Sequence, residues 1–186
     1  MKVVGLCGAS GSGKTTLAEG LIAALKAAGC TVSVIKHAHK RFDIDIPGKD
    51  SWRHRQAGAY EVLVANSHRL ALMREYEAEQ EPDVHQLLAE LSDRSAPGRP
   101  HWVLVEGFKH AELPKIEVWR PERPIELLYP HDPHVVAVAT NAALPLPTTL
   151  PVLPLDQALA VAAFLGQHAS RFDYCYPDDR STILHA

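Results

Sequence analysis

Cysteine is scarce in this chain. There are three, Cys7, Cys30 and Cys175. No pair has metal-binding or redox spacing, and Cys7 lies inside an apolar run. A disulfide-stapled fold is excluded, and a reducing compartment is the simple reading. Aromatics make up only 6%, so Ala, Val and Leu do most of the apolar filling, which favours α/β layers. No apolar run approaches membrane-spanning length. No secretory leader is read, because the first apolar strand runs straight into Gly8. The expectation is a soluble, cytoplasmic protein without membrane contact. Positive charge is not in excess either. The net charge is −3, so the surface as a whole does not read as a nucleic-acid binder. Internal repeats and domain linkers are missing. A chain of 186 residues, 46% hydrophobic, reads as one domain over residues 1–170. The tail 171–186 lacks periodicity and is expected to be loose.

What is present alternates between two periods. Residues 3–7 form a short apolar run of the kind a buried parallel strand needs. Residues 16–28 place Leu17, Leu21, Ala24, Leu25 and Ala28 on one helical face, with Gly29 where a C-terminal cap belongs. Residues 31–36 are β-branched and read as the next strand, completing a βαβ unit. Residues 51–58 read as a short helix, and 61–65 with 69–73 as a strand pair. Residues 83–91 form an amphipathic helix, with Asp83 and Gln86 at capping-box spacing. Residues 92–100 read as a loop. Strands are expected at 102–106, 115–120 and 135–139, and a closing helix at 156–165 with Leu159, Ala162 and Leu165 inward. The fold class is α/β, a mainly parallel sheet flanked by helices.

Between the first strand and the first helix stands Gly8-Ala9-Ser10-Gly11-Ser12-Gly13-Lys14-Thr15, which meets G-x-x-x-x-G-K-[ST] at every fixed position. Glycines let backbone N–H groups converge on phosphate oxygens without Cβ clashes. The helix behind them adds its positive end. Gly11, Ser12, Gly13, Lys14, Thr15 and Thr16 are therefore the phosphate-binding candidates of a P-loop (Walker A) site in a three-layer NTPase fold. Lys14 is the catalytic point charge on the β- and γ-phosphates, and the Thr15 hydroxyl is a Mg2+ ligand. A second metal residue should end a nearby buried strand. Glu106, after Val103-Leu104-Val105, is the candidate. A glycine-rich turn with an incidental lysine is the bland alternative, and its position between strand and helix argues against it.

The stretch 36–55 carries six Lys/Arg against three Asp in a chain of net negative charge, which points to a local anionic ligand. Asp50 has two compatible readings, a helix cap with Ser51 or a further Mg2+ contact, and Asp45 is the runner-up for the metal. His37 and His39 with Asp43 and Asp45 suggest a transition-metal site less well than a solvated or phosphate-facing pair. No Gln or Arg is clearly placed to orient water or stabilise a transition state, and Arg53 or Arg55 acting across a dimer is the alternative.

Taken together these residues resemble the molybdopterin-guanine dinucleotide biosynthesis protein B (MobB) family. The likeness rests on the phosphate loop and on Ile35-Lys36-His37-x-His39. It continues through Phe42-Asp43-Ile44-Asp45-x-Pro47-Gly48-Lys49-Asp50-Ser51, Arg55-x-Ala57-Gly58-Ala59 and Ala71-Leu72-Met73. Leu104-Val105-Glu106-Gly107-Phe108-Lys109-His110, Pro114-Lys115-Ile116-Glu117 and Val135-x-Ala137-Val138-Ala139 complete it. The resemblance implies a homodimer that binds GTP with Mg2+ and hydrolyses it weakly. It implies a role beside the guanylyltransferase MobA, which joins GMP to molybdopterin of the molybdenum cofactor. It carries Gly48, Lys49, Asp50 and Ser51 over as nucleotide-site residues. The usual guanine-reading Asn-Lys-x-Asp element is replaced here by Thr140-Asn141-Ala142-Ala143. From the residues alone, a P-loop small-molecule kinase, an ATP-dependent ligase and a nucleotide-switched interaction module stay open as alternatives.

Overall fold

The computed structural model describes residues 1–38, 42–91, 98–123 and 126–176. In chain order the elements are β1 (Lys2–Cys7), α1 (Lys14–Ala27), β2 (Thr31–Lys36), α2 (Asp50–Gln56), β3 (Glu61–Ala65), β4 (Leu70–Arg74), α3 (Val84–Leu91), β5 (His101–Glu106), β6 (Lys115–Val118), β7 (Val135–Ala139), β8 (Val152–Leu153) and α4 (Ala158–Gln167), then a 3-10 turn, Ala169–Phe172. Six strands pair in parallel in the order β2-β5-β1-β6-β7-β8, while β3 and β4 form a separate antiparallel pair. The chain divides into two compact units, one built from Met1–His37 and the chain from Asp83 on, the other from Ala38–Pro82. A single domain was the expectation over residues 1–170. The long polar connection after β2 carries enough local structure of its own to separate.

In the larger unit the sheet is covered on both faces, and strand alternation decides which side chain goes where. Val4 and Leu6 of β1 join Trp102 and Leu104 of β5 in one cluster, against Leu17, Leu21 and Leu25 of α1 and Val161, Phe164 and Leu165 of α4. Val3, Val103 and Val105 point the other way, against Val84 and Leu88 of α3. A third cluster holds Cys7, Trp119, Tyr129, Val135 and Val138. Burial and the neighbouring Glu117 push the Cys7 thiol up to about 12, so it behaves as an apolar filler rather than a nucleophile.

Helix α1 ends as its sequence prescribes. Gly29 takes φ 82, and Cys30 N–H reaches back to Leu25 O at 3.0 Å, the closing bond of a Schellman turn. Asp83 caps α3, its Oδ1 accepting from His85 N–H at 2.6 Å. Two expectations need correction. Leu159 does not face inward in α4. It is 76% exposed, while Val161, Phe164 and Leu165 are buried. Residues 158–165 are all apolar, so periodicity had no contrast from which to choose a face. The segment after Arg171 is also not loose as far as Tyr176. Phe172 is fully buried with its ring 5.6 Å from Trp102, and the Tyr176 hydroxyl donates to Leu88 O at 2.9 Å. Residues 177–186 of the expected tail, most of the 92–100 loop, and His39 lie outside the described residues.

The smaller unit is built around Arg55. Its guanidinium meets Asp43 at 2.9 Å, Asp45 at 3.2 Å and Glu75 at 2.6 Å, and Ser51 Oγ donates to Asp45 Oδ1 at 2.8 Å. Three carboxylates on one planar cation tie loop, helix and hairpin together.

Candidate functional site

The phosphate loop leaves the C-terminal end of β1, the central strand flanked by β5 and β6. Gly8 is required twice over. Its φ is +126, and a Cβ there would stand 2.2 Å from Val118 O. At the loop's far end Gly13 is in the left-handed region, and no side chain caps α1. Its first-turn N–H groups are thus available to an external acceptor. The Ser12 hydroxyl is buried and has no hydrogen-bond partner among the described residues, another unsatisfied group turned into the loop. Lys14 Nζ lies over the loop, donating to Gly8 O at 2.9 Å and Ala9 O at 2.6 Å. Partial burial holds the Lys14 ammonium below its ordinary pKa, with Glu106 pulling the other way.

Strand register brings the metal candidates together. Lys36 of β2 pairs with Glu106 of β5, and Glu106 with Leu6 of β1. Thr15 Oγ1 donates to Glu106 Oε1 at 2.7 Å. Lys36 Nζ donates to the same carboxylate oxygen at 3.0 Å and to Thr15 Oγ1 at 3.3 Å. A hydroxyl and a carboxylate on one spot are the hard oxygen donors that Mg2+ prefers, and the ammonium marks the spot as one that holds a cation. Thr15 and Glu106 fit the ion, which when bound would neutralise phosphate charge. Behind Glu106 the chain must turn sharply. Gly107 has φ +99, a Cβ there would stand 2.7 Å from His37 Cβ, and Phe108, itself at φ 49, stacks its ring on His37 at 4.7 Å.

The remaining expected site residues belong to the smaller unit, described by itself. Gly48 takes φ 85 in the turn that leads into α2. Lys49, not Asp50, occupies the N-cap of α2, and it makes no side-chain cap bond. The helix-cap reading of Asp50 is therefore corrected. Asp50 is the first helical residue, its side chain 92% exposed and 3.9 Å from Arg53. Ser51 and Asp45 are bonded to each other. Burial acts to raise the Asp45 pKa, but the bonds from Ser51, the Ile46 N–H and Arg55 outweigh it and hold it low. Arg55 is committed to three acids, so it is not the free arginine that a second subunit would receive.

Two residues next to the loop escaped sequence reasoning. Arg120 Nε donates to Ser12 O at 2.9 Å, and the Arg123 guanidinium comes within 3.3 Å of where a Gly11 Cβ would stand. Both follow β6. The signal for them was only the cation pair Arg120-x-x-Arg123 after a buried strand, which carries no spacing rule.

Comparison with known proteins places the chain in context. The family model described as molybdopterin guanine dinucleotide synthesis protein B matches residues 3–141. The chain is 44% identical over 159 residues to the molybdopterin-guanine dinucleotide biosynthesis adapter protein of Escherichia coli K12, covering 84% of this chain and 86% of that one. It is 42% identical over 172 residues to the adapter protein of Haemophilus influenzae, covering 91% and 90%. Among solved structures, the crystal structure of a MobB homologue from Bacillus stearothermophilus superimposes with a TM-score of 0.64 at 26% identity, covering 91% of this chain and 99% of that one.

Proposed function

Because the chain belongs to the molybdopterin-guanine dinucleotide synthesis protein B family, we propose that it serves molybdopterin-guanine dinucleotide biosynthesis as an adapter that holds GTP with Mg2+ beside the guanylyltransferase MobA. The observation that carries the nucleotide part of this reading is the 2.7 Å bond between Thr15 and Glu106 at the mouth of the loop. The loop N–H groups and Lys14 bind and orient the polyphosphate, and Thr15 and Glu106 hold the metal. Hydrolysis is slow in this reading. The two arginines beside the loop are turned to its backbone, Arg120 to the Ser12 carbonyl and Arg123 to Gly11. The missing arginine-finger contribution is about 10³–10⁵ in rate.

The rest of the reading follows from the role. Molybdopterin or the molybdenum cofactor is the acceptor whose guanylylation is assisted, and the cytoplasm is the compartment. No described helix is long and apolar enough to cross a membrane. A homodimer is part of the proposal. Leu63, Val64 and Leu70 on the β3–β4 hairpin are exposed, and a two-stranded sheet is marginal without a partner surface.

Calorimetry with GTP and Mg2+ tests the site. Lys14→Ala is expected to abolish binding, and unchanged affinity would defeat the assignment. Adding the protein to MobA, molybdopterin and either GTP or ATP tests the role. Stimulation with GTP is the expected result, and its absence with both nucleotides would sink the adapter reading.

A further inference from the structure

Beside the phosphate loop lies a pocket of roughly 120 Å³ between the ends of β6 and β7, lined by Arg120, Pro121, Glu122, Thr140, Asn141, Ala142 and Leu155. One side chain belongs to both. Arg120 lines the pocket and also donates to Ser12 O, passing within 3.5 Å of where a Gly13 Cβ would stand. The pocket therefore adjoins the place where a polyphosphate would sit on the loop.

The polar groups in the pocket are of two kinds. Asn141 Oδ1 accepts from Leu155 N–H at 2.9 Å. That bond takes one lone pair of the acceptor, orients the carboxamide and leaves the Asn141 NH2 group as a donor. Glu122 brings a carboxylate, which only accepts. Ala142, Pro121 and Leu155 supply apolar walls, and the planar Arg120 guanidinium suits stacking against a flat ring. Thr140 Oγ1 accepts from Ala142 N–H at 3.1 Å, so its hydroxyl proton adds a second neutral donor beside the Asn141 NH2 group. One carboxylate able to take two N–H groups, in a pocket whose other polar groups donate, is the complement of guanine. Guanine donates from N1 and N2 and accepts at O6 and N7. Adenine offers a single amino donor beside a ring acceptor, and would leave the carboxylate half-used.

We infer that this pocket reads the nucleobase, with Glu122 as the acid that specifies guanine and Asn141 as the donor to its O6 or N7. The inference rests on the nucleotide-binding reading above and adds the residue that selects the base. It also accounts for the unusual sequence after β7. The acid expected in the Asn-Lys-x-Asp position is supplied from the loop after β6, one strand over.

The test is calorimetry of wild type and Glu122→Gln with GTP, ITP, ATP and tripolyphosphate, each with Mg2+. ITP lacks the N2 amine, and tripolyphosphate reports the phosphate loop alone. Wild type is expected to favour GTP over ITP and ATP. Glu122→Gln should lose roughly 5- to 150-fold in GTP affinity, the loss of a bidentate base contact, with the GTP–ITP difference closing. Because Glu122 is exposed, an unchanged melting curve should show that the variant is folded. A variant that ranks the four ligands as wild type does would overturn the base assignment while leaving the phosphate site intact. Wild type that binds neither GTP nor tripolyphosphate would overturn both.

Discussion

The Thr15 hydroxyl and the Glu106 carboxylate meet at 2.7 Å although 91 positions separate them in the chain. The contact links the first residues of α1 to the end of β5, and it can be tested without removing either backbone. Glu106→Gln keeps an acceptor for Thr15 but removes the charge. Apparent Mg2+ affinity in the presence of GTP is expected to weaken by at least about 10–100-fold, the loss seen when even a group that only supports a metal ligand is removed. Melting should change little. Titrating Mg2+ against a fluorescent GTP analogue checks this, and an unmoved midpoint would take Glu106 out of the metal site.

Gly107→Ala should destabilise the protein by about 1–3 kcal/mol, because the residue is held at φ +99 with a Cβ position 2.7 Å from His37 Cβ. For a chain of this size that is a fall of about 2–4 °C in Tm per kcal/mol. Calorimetric melting measures it. An unshifted Tm would mean that the turn after Glu106 is not constrained as described.

Lys115 is 2% exposed and donates to Asp132 Oδ2 at 2.8 Å and to Lys109 O at 2.9 Å. Burial acts to raise the Asp132 pKa, but bonds from Lys115 and His134 outweigh it and hold it low. Lys115→Met leaves that acid without its cation and is expected to cost about 3 kcal/mol. Adding Asp132→Asn should recover most of the loss. Urea unfolding of the single and double variants decides it, and additive losses would contradict the pairing.

In the smaller unit, the Arg55 hydrogen bond holds Asp43 below the usual carboxylate range, and Asp45 is low as well. Groups with depressed folded pKa values stabilise fully above their unfolded values, about 3.9 for Asp. That contribution disappears as pH falls through the folded values. Arg55→Ala should therefore flatten the acid limb of stability. It should also raise hydrogen exchange in residues 42–82 ahead of the β1, β5 and β7 strands. Equal exchange in wild type and variant would show that the three-acid cluster does not hold this unit.

Much of this is legible in the sequence. The strands β1, β2, β5 and β7 each announce themselves as short apolar runs, and Gly29 sits at the end of α1 where its φ is needed. The phosphate loop is plain because its eight residues, Gly8 to Thr15, are governed by local rules: glycine where Cβ is forbidden, then lysine and hydroxyl on the first turn of a helix. Glu106 was visible as an acid ending a buried strand. The exposure of Leu159 is not legible because an all-apolar helix carries no period, and the order after Arg171 is not legible because Phe172 is held by Trp102, a partner 70 positions away in the chain.

The sequence by itself determined the elements and the chemistry of the loop, since dihedral preference, capping and alternation act within one or two turns of chain. Tertiary structure decided the company those groups keep. It set Lys36 and Thr15 on one carboxylate oxygen, Arg120 on the Ser12 carbonyl, and Glu122 in the same pocket as Asn141. Those meetings depend on which strands lie side by side and in what register, and that is fixed by burying both faces of the sheet at once rather than by any residue's immediate neighbours.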